Sequence, residues 1–322
     1  METENGRDAR VSREAALYVS ASADLSTGAP RLGNQAQVPC PSRRALCTLL
    51  RTRSLRIILG IFTRFLLPQQ SAPHSASVDP EDVARFNRLA ELWWDKNGKM
   101  GILHEINPIR VAYIRDHVRR LIRHDASALN APADRPLEGV RIADIGCGGG
   151  ILSESLAQLG AHVTGVDPAT NNIAIAKRHA ETSGLDIDYR NITAEDLAAA
   201  GEQFDAVAAL EVIEHVEGPR EFVAMLGRLL KPGGLLFLAT IDRTTKSYLL
   251  AIVAAEYVLG WVPKGTHNHD KFIRPDELSS WVRHGGMREI DRVGMSFQPL
   301  TRSWRKSHDT DVNYLMAARK EG

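Results

Sequence analysis

Arg141-Ile-Ala-Asp144-Ile-Gly146-Cys147-Gly148-Gly149-Gly150-Ile-Leu-Ser-Glu-Ser-Leu-Ala157 is the stretch that decides how this chain folds. A short apolar run ends in an acid, a glycine cluster follows, and a helical pattern begins, which predicts strand, tight turn and helix. Glycines let the turn take backbone angles closed to other residues and let a ligand approach the main chain. The start of the helix then offers free N–H groups that favour a negatively charged ligand group. The next apolar run, His162-Val-Thr-Gly-Val-Asp167, also ends in an acid. It lies about 20 residues on, where folds of this kind hold a ribose hydroxyl pair.

A glycine cluster of this sort also opens dinucleotide sites. That fingerprint wants glycine at the first, third and sixth places, but counting from Gly146 the sixth place is Ile151, and an acid, Asp144, stands two residues before the first glycine. Asp-x-Gly-x-Gly-x-Gly with an acid at the second strand end resembles class I S-adenosylmethionine (SAM) methyltransferases. The resemblance implies a Rossmann-like seven-stranded α/β sheet with an antiparallel last strand. The plain alternative is a glycine turn that only joins strand to helix.

With 322 residues the chain can hold one large or two small domains, and 43% hydrophobic and 25% charged residues are those of a globular protein. A formal net charge of +1 gives no general reason to expect nucleic-acid binding. Cys40, Cys47 and Cys147 form neither a disulfide framework nor a zinc site, which points to a reducing compartment. Cys147 reads as a small filler inside the glycine turn.

Residues 1–77 differ from the rest. Leu25 to Val78 holds no acid, while arginines accumulate between Arg31 and Arg64. The apolar run Leu55–Leu67 is interrupted by arginine and too short to span a bilayer. Three readings are open: a basic amphipathic helix on a membrane surface, an organelle transit peptide, or an extension outside the functional unit. The linker-like Ser71-Ala-Pro-His-Ser-Ala-Ser favours the last.

Asp79-Pro80-Glu81-Asp82 predicts a helix start, with a capping acid, proline and first-turn acids. Phe86, Leu89, Leu92 and Trp93 follow at helical spacing, and a second helix is expected from Pro108 to about Arg123. Residues 78–130 read either as two helices packed on the sheet, with the tryptophans as core, or as a lid over the cofactor pocket. In the second reading Arg110 could pair with a carboxylate such as that of the SAM methionine.

Trp93-Trp94-Asp95, Leu103-His104-x-Ile106-Asn107-Pro108-x-Arg110, Asp144-Ile-Gly-Cys-Gly-Gly-Gly-Ile-Leu152, Glu211-Val-Ile-Glu214-His215-Val and Val262-Pro-Lys-Gly-Thr-His267 resemble the ubiquinone-biosynthesis O-methyltransferases. The resemblance covers about residues 78–320, with a methyltransferase domain over 139–320 and a helical lid before it. It implies SAM as co-substrate and methylation of phenolic hydroxyls on a polyprenylated ring, at both O-methylation steps. Arg110, Asp144, Gly146, Gly148, Asp167 and Leu210 are then expected at the cofactor. Glu211, Glu214 and His215 are expected to hold Mg²⁺ and to be catalytic.

The remaining strands read as Asp186–Ile192, Phe204–Leu210, Leu235–Thr240 and a final edge hairpin, Met287–Phe297 with Asp311–Arg319. After the third strand, Glu195 and Asp196 read either as an adenine contact or, preferably, as first-turn acids. Beyond the fourth strand come Glu211, Glu214 and His215, where ligands of open α/β sheets bind. If that segment is helical, residues three and four apart share a face. Two carboxylates and an imidazole could ligate a divalent ion, or His215 could take the phenol proton; a third alternative is acids that only start a helix. Adjacent hydroxyls chelated to a metal would ionise more readily.

The insertion at 246–264 is apolar, with one acid, Glu256, between Lys246 and Lys264. It suits either a buried helix or a membrane interface, and the second fits a lipid-tailed substrate. The expected location is the cytoplasmic face of a bacterial inner membrane, or the matrix side of the mitochondrial one, with other ubiquinone-biosynthesis enzymes as partners and no nucleic acid. His267 and His269 could shape the substrate pocket. A nicotinamide dehydrogenase fails on Ile151 and Asp144. A non-catalytic SAM-binding protein would be expected to lack one of Glu211, Glu214 and His215.

Overall fold

The apolar runs become β1 (Arg141–Ile145), β2 (His162–Val166), β3 (Asp188–Arg190), β4 (Phe204–Leu210), β5 (Leu230–Ile241), β6 (Met287–Gln298), β7 (Ser303–Ser307) and β8 (Asn313–Lys320). In the computed structural model, which describes residues 77–122, 133–248, 269–298 and 300–322, they form one sheet in the order β3-β2-β1-β4-β5-β8-β6-β7. β1 to β5 run parallel, β8 runs antiparallel to both β5 and β6, and β7 pairs antiparallel with β6. The order reverses between β1 and β4, so the crevice for a ligand opens beyond Ile145 and Leu210.

The longer helices among the described residues are α1 (Pro80–Leu89), α2 (Gly101–Leu121), α3 (Ile151–Gln158), α4 (Thr170–Ser183), α5 (Ala194–Ala199), α6 (Pro219–Arg228) and α7 (Pro275–His284). Alternate residues of one strand serve opposite cores. Val207 and Ala209 of β4, with Leu236 and Leu238 of β5, join Leu226 of α6 and Leu278 of α7. Ala206 and Ala208, with Leu235 and Phe237, join Tyr113 of α2 and Leu156 of α3. This period of two, buried on both faces, explains why β4 and β5 read as nearly continuous apolar runs.

Three expectations need correction. The closing strands are not a simple edge hairpin: β8 lies inside the sheet between β5 and β6, and the edge is an eighth strand, β7. Its polar sequence, Ser-Trp-Arg-Lys-Ser, hides it from an apolar-run search and suits an edge, where charge discourages pairing with another chain. The second helix starts at Gly101, with Pro108 inside it. Proline there removes one helical hydrogen bond. The turns before it are held from outside, because Asn107 Nδ2 donates to Ile151 O and Ser155 Oγ, and His104 Nε2 is 2.8 Å from Trp93 O. The third correction concerns the 211–215 segment and is described with the site.

Residues 1–76 and 249–268, which include most of the insertion and His267, lie outside the described residues. Among the described residues no helix is long and apolar enough to cross a membrane.

Candidate active site

The glycine turn is built around two acids. Gly148 has φ 55°, a left-handed angle that a side chain resists. Its N–H points to Asp167 Oδ2 at 3.0 Å, while Asp167 Oδ1 accepts from Ala169 N at 2.8 Å and Asn172 Nδ2 at 3.3 Å. Burial raises the Asp167 carboxyl above the ordinary carboxylate range, and these three donors oppose the shift. Asp144 is also buried and accepts from Ser153 Oγ at 2.5 Å. Burial pushes it up to about 7, against the Ser153 hydrogen bond and with help from the negative charge of Asp167. Cys147 packs among Ile173, Ala176 and Tyr189, consistent with filler.

Over this turn lies the segment after α1. A Cβ on Gly148 would come within 2.4 Å of the Trp93 ring, so the glycine makes room for the indole. Trp93 Nε1 donates to Asn172 Oδ1 at 2.9 Å, and Asn172 in turn donates to Asp167. Trp94 Nε1 donates to Gly149 O at 2.9 Å, and its ring stacks on His179 with centroids 3.3 Å apart. Both tryptophans are half-buried rather than core. Trp93 and Trp94 thus seat the segment between α1 and α2 on the glycine turn.

At the carboxyl end of β4 the chain turns sharply. Glu211 has φ 53°, in the left-handed region that non-glycine residues rarely enter, and Ile213–His215 forms a single 3-10 turn. Glu211, Glu214 and His215 therefore do not share a helical face, and a different element engages each. Glu211 pairs with the buried Arg110 of α2. Glu214 is buried and accepts from Thr240 Oγ1 of β5 at 3.0 Å. His215 Nδ1 lies 3.0 Å from Asp82 Oδ2 of α1, and its ring meets Phe86 edge-on at 5.5 Å. Burial pushes Glu214 up to about 7; His215 opposes that shift and Glu211 adds to it. The hydrogen bond from His215 holds Asp82 below the ordinary carboxylate range, despite some desolvation.

The Mg²⁺ expectation thus meets a poor donor set. Each of the three side chains is committed to its own partner, and among the described residues no three His, Cys, Asp or Glu side chains are gathered for a metal. The SAM expectation fares differently. Arg110, Asp144, Gly146, Gly148, Asp167 and Leu210 line one cavity of about 240 Å³, and so do Glu211, Glu214 and His215. Glu195 lines it too: it accepts from Ser77 Oγ, and its Oε2 is buried with no hydrogen-bond partner among the described residues. Asp196 instead closes a capping box with Thr193. Both acids after β3 stand in the first turn of α5, the reading preferred for them, and of the two only Glu195 also lines the cavity. His269 bonds Thr244 O at 3.2 Å and does not line the cavity.

Sequence reasoning missed Asp82, Asn172 and Ser153. Asp82 was read only as a first-turn acid, and nothing local signals a partner so far along the chain. Ser153 carried a weak signal, since it lies two residues into the helix that follows the glycine turn.

A family described as methyltransferase domain matches residues 143–238. A curated ubiquinone biosynthesis O-methyltransferase from Methylocella silvestris is 52% identical over 79% of this chain and 99% of its own length. A protein of the same name from Brucella anthropi is 50% identical over 76% of this chain and 96% of its own length. A solved magnesium protoporphyrin IX methyltransferase from Synechocystis, with bound SAH, superposes with a TM-score of 0.49 at 19% identity, covering 74% of this chain and 94% of that one.

Proposed function

The chain belongs to the ubiquinone biosynthesis O-methyltransferase family, and from that premise we propose how its cavity carries out SAM-dependent O-methylation. SAM supplies a methyl group on a positively charged sulfur, open to in-line attack by an oxygen. Arg110 takes the methionine carboxylate, the Gly146–Gly148 turn and Asp144 border the amino-acid part, and Asp167 takes the ribose hydroxyls. Leu210 packs beside the cofactor, and the unpartnered Oε2 of Glu195 accepts from the adenine amino group.

The phenol must lose its proton to become a good nucleophile. His215 is the base in this reading. With its Nδ1–H given to Asp82, its Nε2 is left as the acceptor, the arrangement that suits a proton-abstracting imidazole. The observation that carries this assignment is the Asp82–His215 pair at the carboxyl end of β4, in the cavity that also holds the glycine turn and Asp167. No step is drawn through Mg²⁺, because Glu211, Glu214 and His215 would first have to leave Arg110, Thr240 and Asp82.

The substrate is a polyprenylated hydroxybenzene, and the same site serves both O-methylation steps. The 246–264 insertion brings the enzyme to the bilayer surface where such a lipid resides, on the cytoplasmic or matrix face, among other enzymes of the same biosynthesis. The test is methyl transfer from labelled SAM to a polyprenylated catechol. The expected result is transfer that His215→Ala lowers about a hundredfold or more, the scale of general-base catalysis. EDTA and added Mg²⁺ form separate arms. Transfer that EDTA abolishes and Mg²⁺ restores would mean that the three side chains regroup around an ion, and would overturn the metal-free reading. Absence of transfer alongside intact SAM binding would overturn the substrate class.

A further inference from the structure

We infer that Glu211 is an internal stand-in for the methyl donor's carboxylate: it holds the guanidinium of Arg110, and donor binding exchanges one carboxylate for the other. This rests on the reading of Arg110 given above. Arg110 rises from α2 with its side chain only 7% exposed, and Glu211 is the acid that pairs with it. Its Nε has no hydrogen-bond partner among the described residues, so the fork is only partly used. A guanidinium binds a carboxylate best through two parallel N–H bonds, and the present pair leaves room for a better one.

The more exposed member of the pair is Glu211. Its side chain is 27% exposed, against 7% for the arginine, and its backbone sits at φ 53°. That angle disfavours a residue with a Cβ, and strain of this kind persists only where surrounding contacts hold it. The ion pair with Arg110 is such a contact. Glu211 also sits beside the buried Glu214, so two carboxylates share a small volume, and Glu211 is the one on the guanidinium. A third carboxylate could not join them without displacing one from the guanidinium. Of the two, Glu214 is tied to Thr240 and fully enclosed, whereas Glu211 can swing toward solvent.

The experiment uses two ligands that differ in the carboxylate. S-adenosylhomocysteine carries it; 5′-methylthioadenosine keeps the adenosine part and lacks the amino-acid end. Binding of both is measured by calorimetry on the full chain. Glu211→Gln, which keeps the size and loses the charge, is expected to bind S-adenosylhomocysteine about fivefold or more tightly than the parent, the scale of a modest charge pair. Its affinity for methylthioadenosine is expected to be unchanged. Glu211→Gly removes the stand-in and also suits φ 53°, so it keeps the test open should the glutamine variant fold poorly. In an Arg110→Met background the Glu211 substitutions are expected to have no effect. Unchanged or weaker S-adenosylhomocysteine binding in both Glu211 variants overturns the exchange. If Arg110→Met binds S-adenosylhomocysteine as the parent does, Arg110 does not read the carboxylate and the underlying assignment has failed instead.

Discussion

Asp82 and His215 stand 133 positions apart and meet in one 3.0 Å hydrogen bond. If Asp82 fixes the tautomer of His215, replacing it by an amide that cannot hold Nδ1–H in the same way should slow chemistry without loosening the cofactor. Asp82→Asn is expected to lower kcat about ten- to a hundredfold, the usual effect of removing a residue that orients a functional histidine. The S-adenosylhomocysteine affinity should stay at the parent level, and Asp82→Glu should recover part of kcat. Steady-state kinetics beside calorimetry reads both; an equal loss in affinity would mean that Asp82 only holds the lid. Asp144 makes a different prediction, on stability. Burial raises its carboxyl from the ordinary 3.8 to about 7 in the folded chain. The native state thus keeps a proton that the unfolded chain has released, and over that window stability falls as pH rises. The contribution is whole below about pH 4, fades toward pH 7 and changes no further above it. Asp144→Asn cannot titrate, so relative to the parent it should gain roughly 3 to 4 kcal/mol between pH 4 and pH 7, as an upper bound. Thermal unfolding of both proteins across that range tests it: parallel curves would mean that Asp144 ionises normally.

At the scale of elements, the site is a joint between the α1–α2 segment and the first two strand–helix turns. Gly148 and Trp93 make the joint testable, because a Cβ on Gly148 would meet the indole at 2.4 Å and the backbone there has φ 55°. Gly148→Ala is expected to lift Trp93 off the turn and weaken S-adenosylhomocysteine binding about tenfold, the consequence of losing some 1.4 kcal/mol. Trp93→Ala should weaken it by a similar amount. The double variant should lose less than the sum, because removing the ring removes the clash and leaves only the strained angle. Strict additivity of the two losses would show that the glycine and the indole do not act on each other. What could be read from the sequence follows the same division. The glycine turn, Asp167 and the alternation of β4 and β5 were legible because their causes lie within a few residues. The capping acid of α1 was legible for the same reason. Pro108 misled because the contacts of Asn107 and His104 across the chain outweigh one missing helical hydrogen bond. A shared face for Glu211, Glu214 and His215 depended on the segment being a regular helix, a condition not met because Glu211 takes a left-handed angle and its neighbours form a single 3-10 turn. β7 escaped because an edge strand needs little apolar surface.

For the whole molecule, the question is where the working unit begins. The compact unit starts at Gln70, not at the first helix. Ser77 and Val78 belong to the site's support: Ser77 O accepts from Glu217 N at 2.9 Å, Ser77 Oγ donates to Glu195, and Val78 bridges Val216, the neighbour of His215. These two residues therefore brace Glu195 and the turn that carries His215, the proposed adenine contact and the proposed base. The composition of residues 1–77 favours an extension outside the functional unit, and a cut after Gln69 leaves Ser77 in place. Two truncations separate these ideas. The chain from Gln70 to Gly322 is expected to unfold at the parent's temperature and to transfer methyl groups at the parent's rate. The chain from Asp79 to Gly322 loses only nine further residues, yet it should melt several degrees lower, in line with a loss of about 1 kcal/mol or more in a domain of this size. Its kcat should fall further than its affinity for methylthioadenosine, because the turn carrying His215 loses its brace. If the Gln70 truncation folds but no longer methylates a polyprenylated catechol, while a short-chain catechol is still accepted, the first 69 residues act in delivering the lipid. The extension would then be part of the enzyme's access to its membrane-borne substrate, and the working unit would be the full chain.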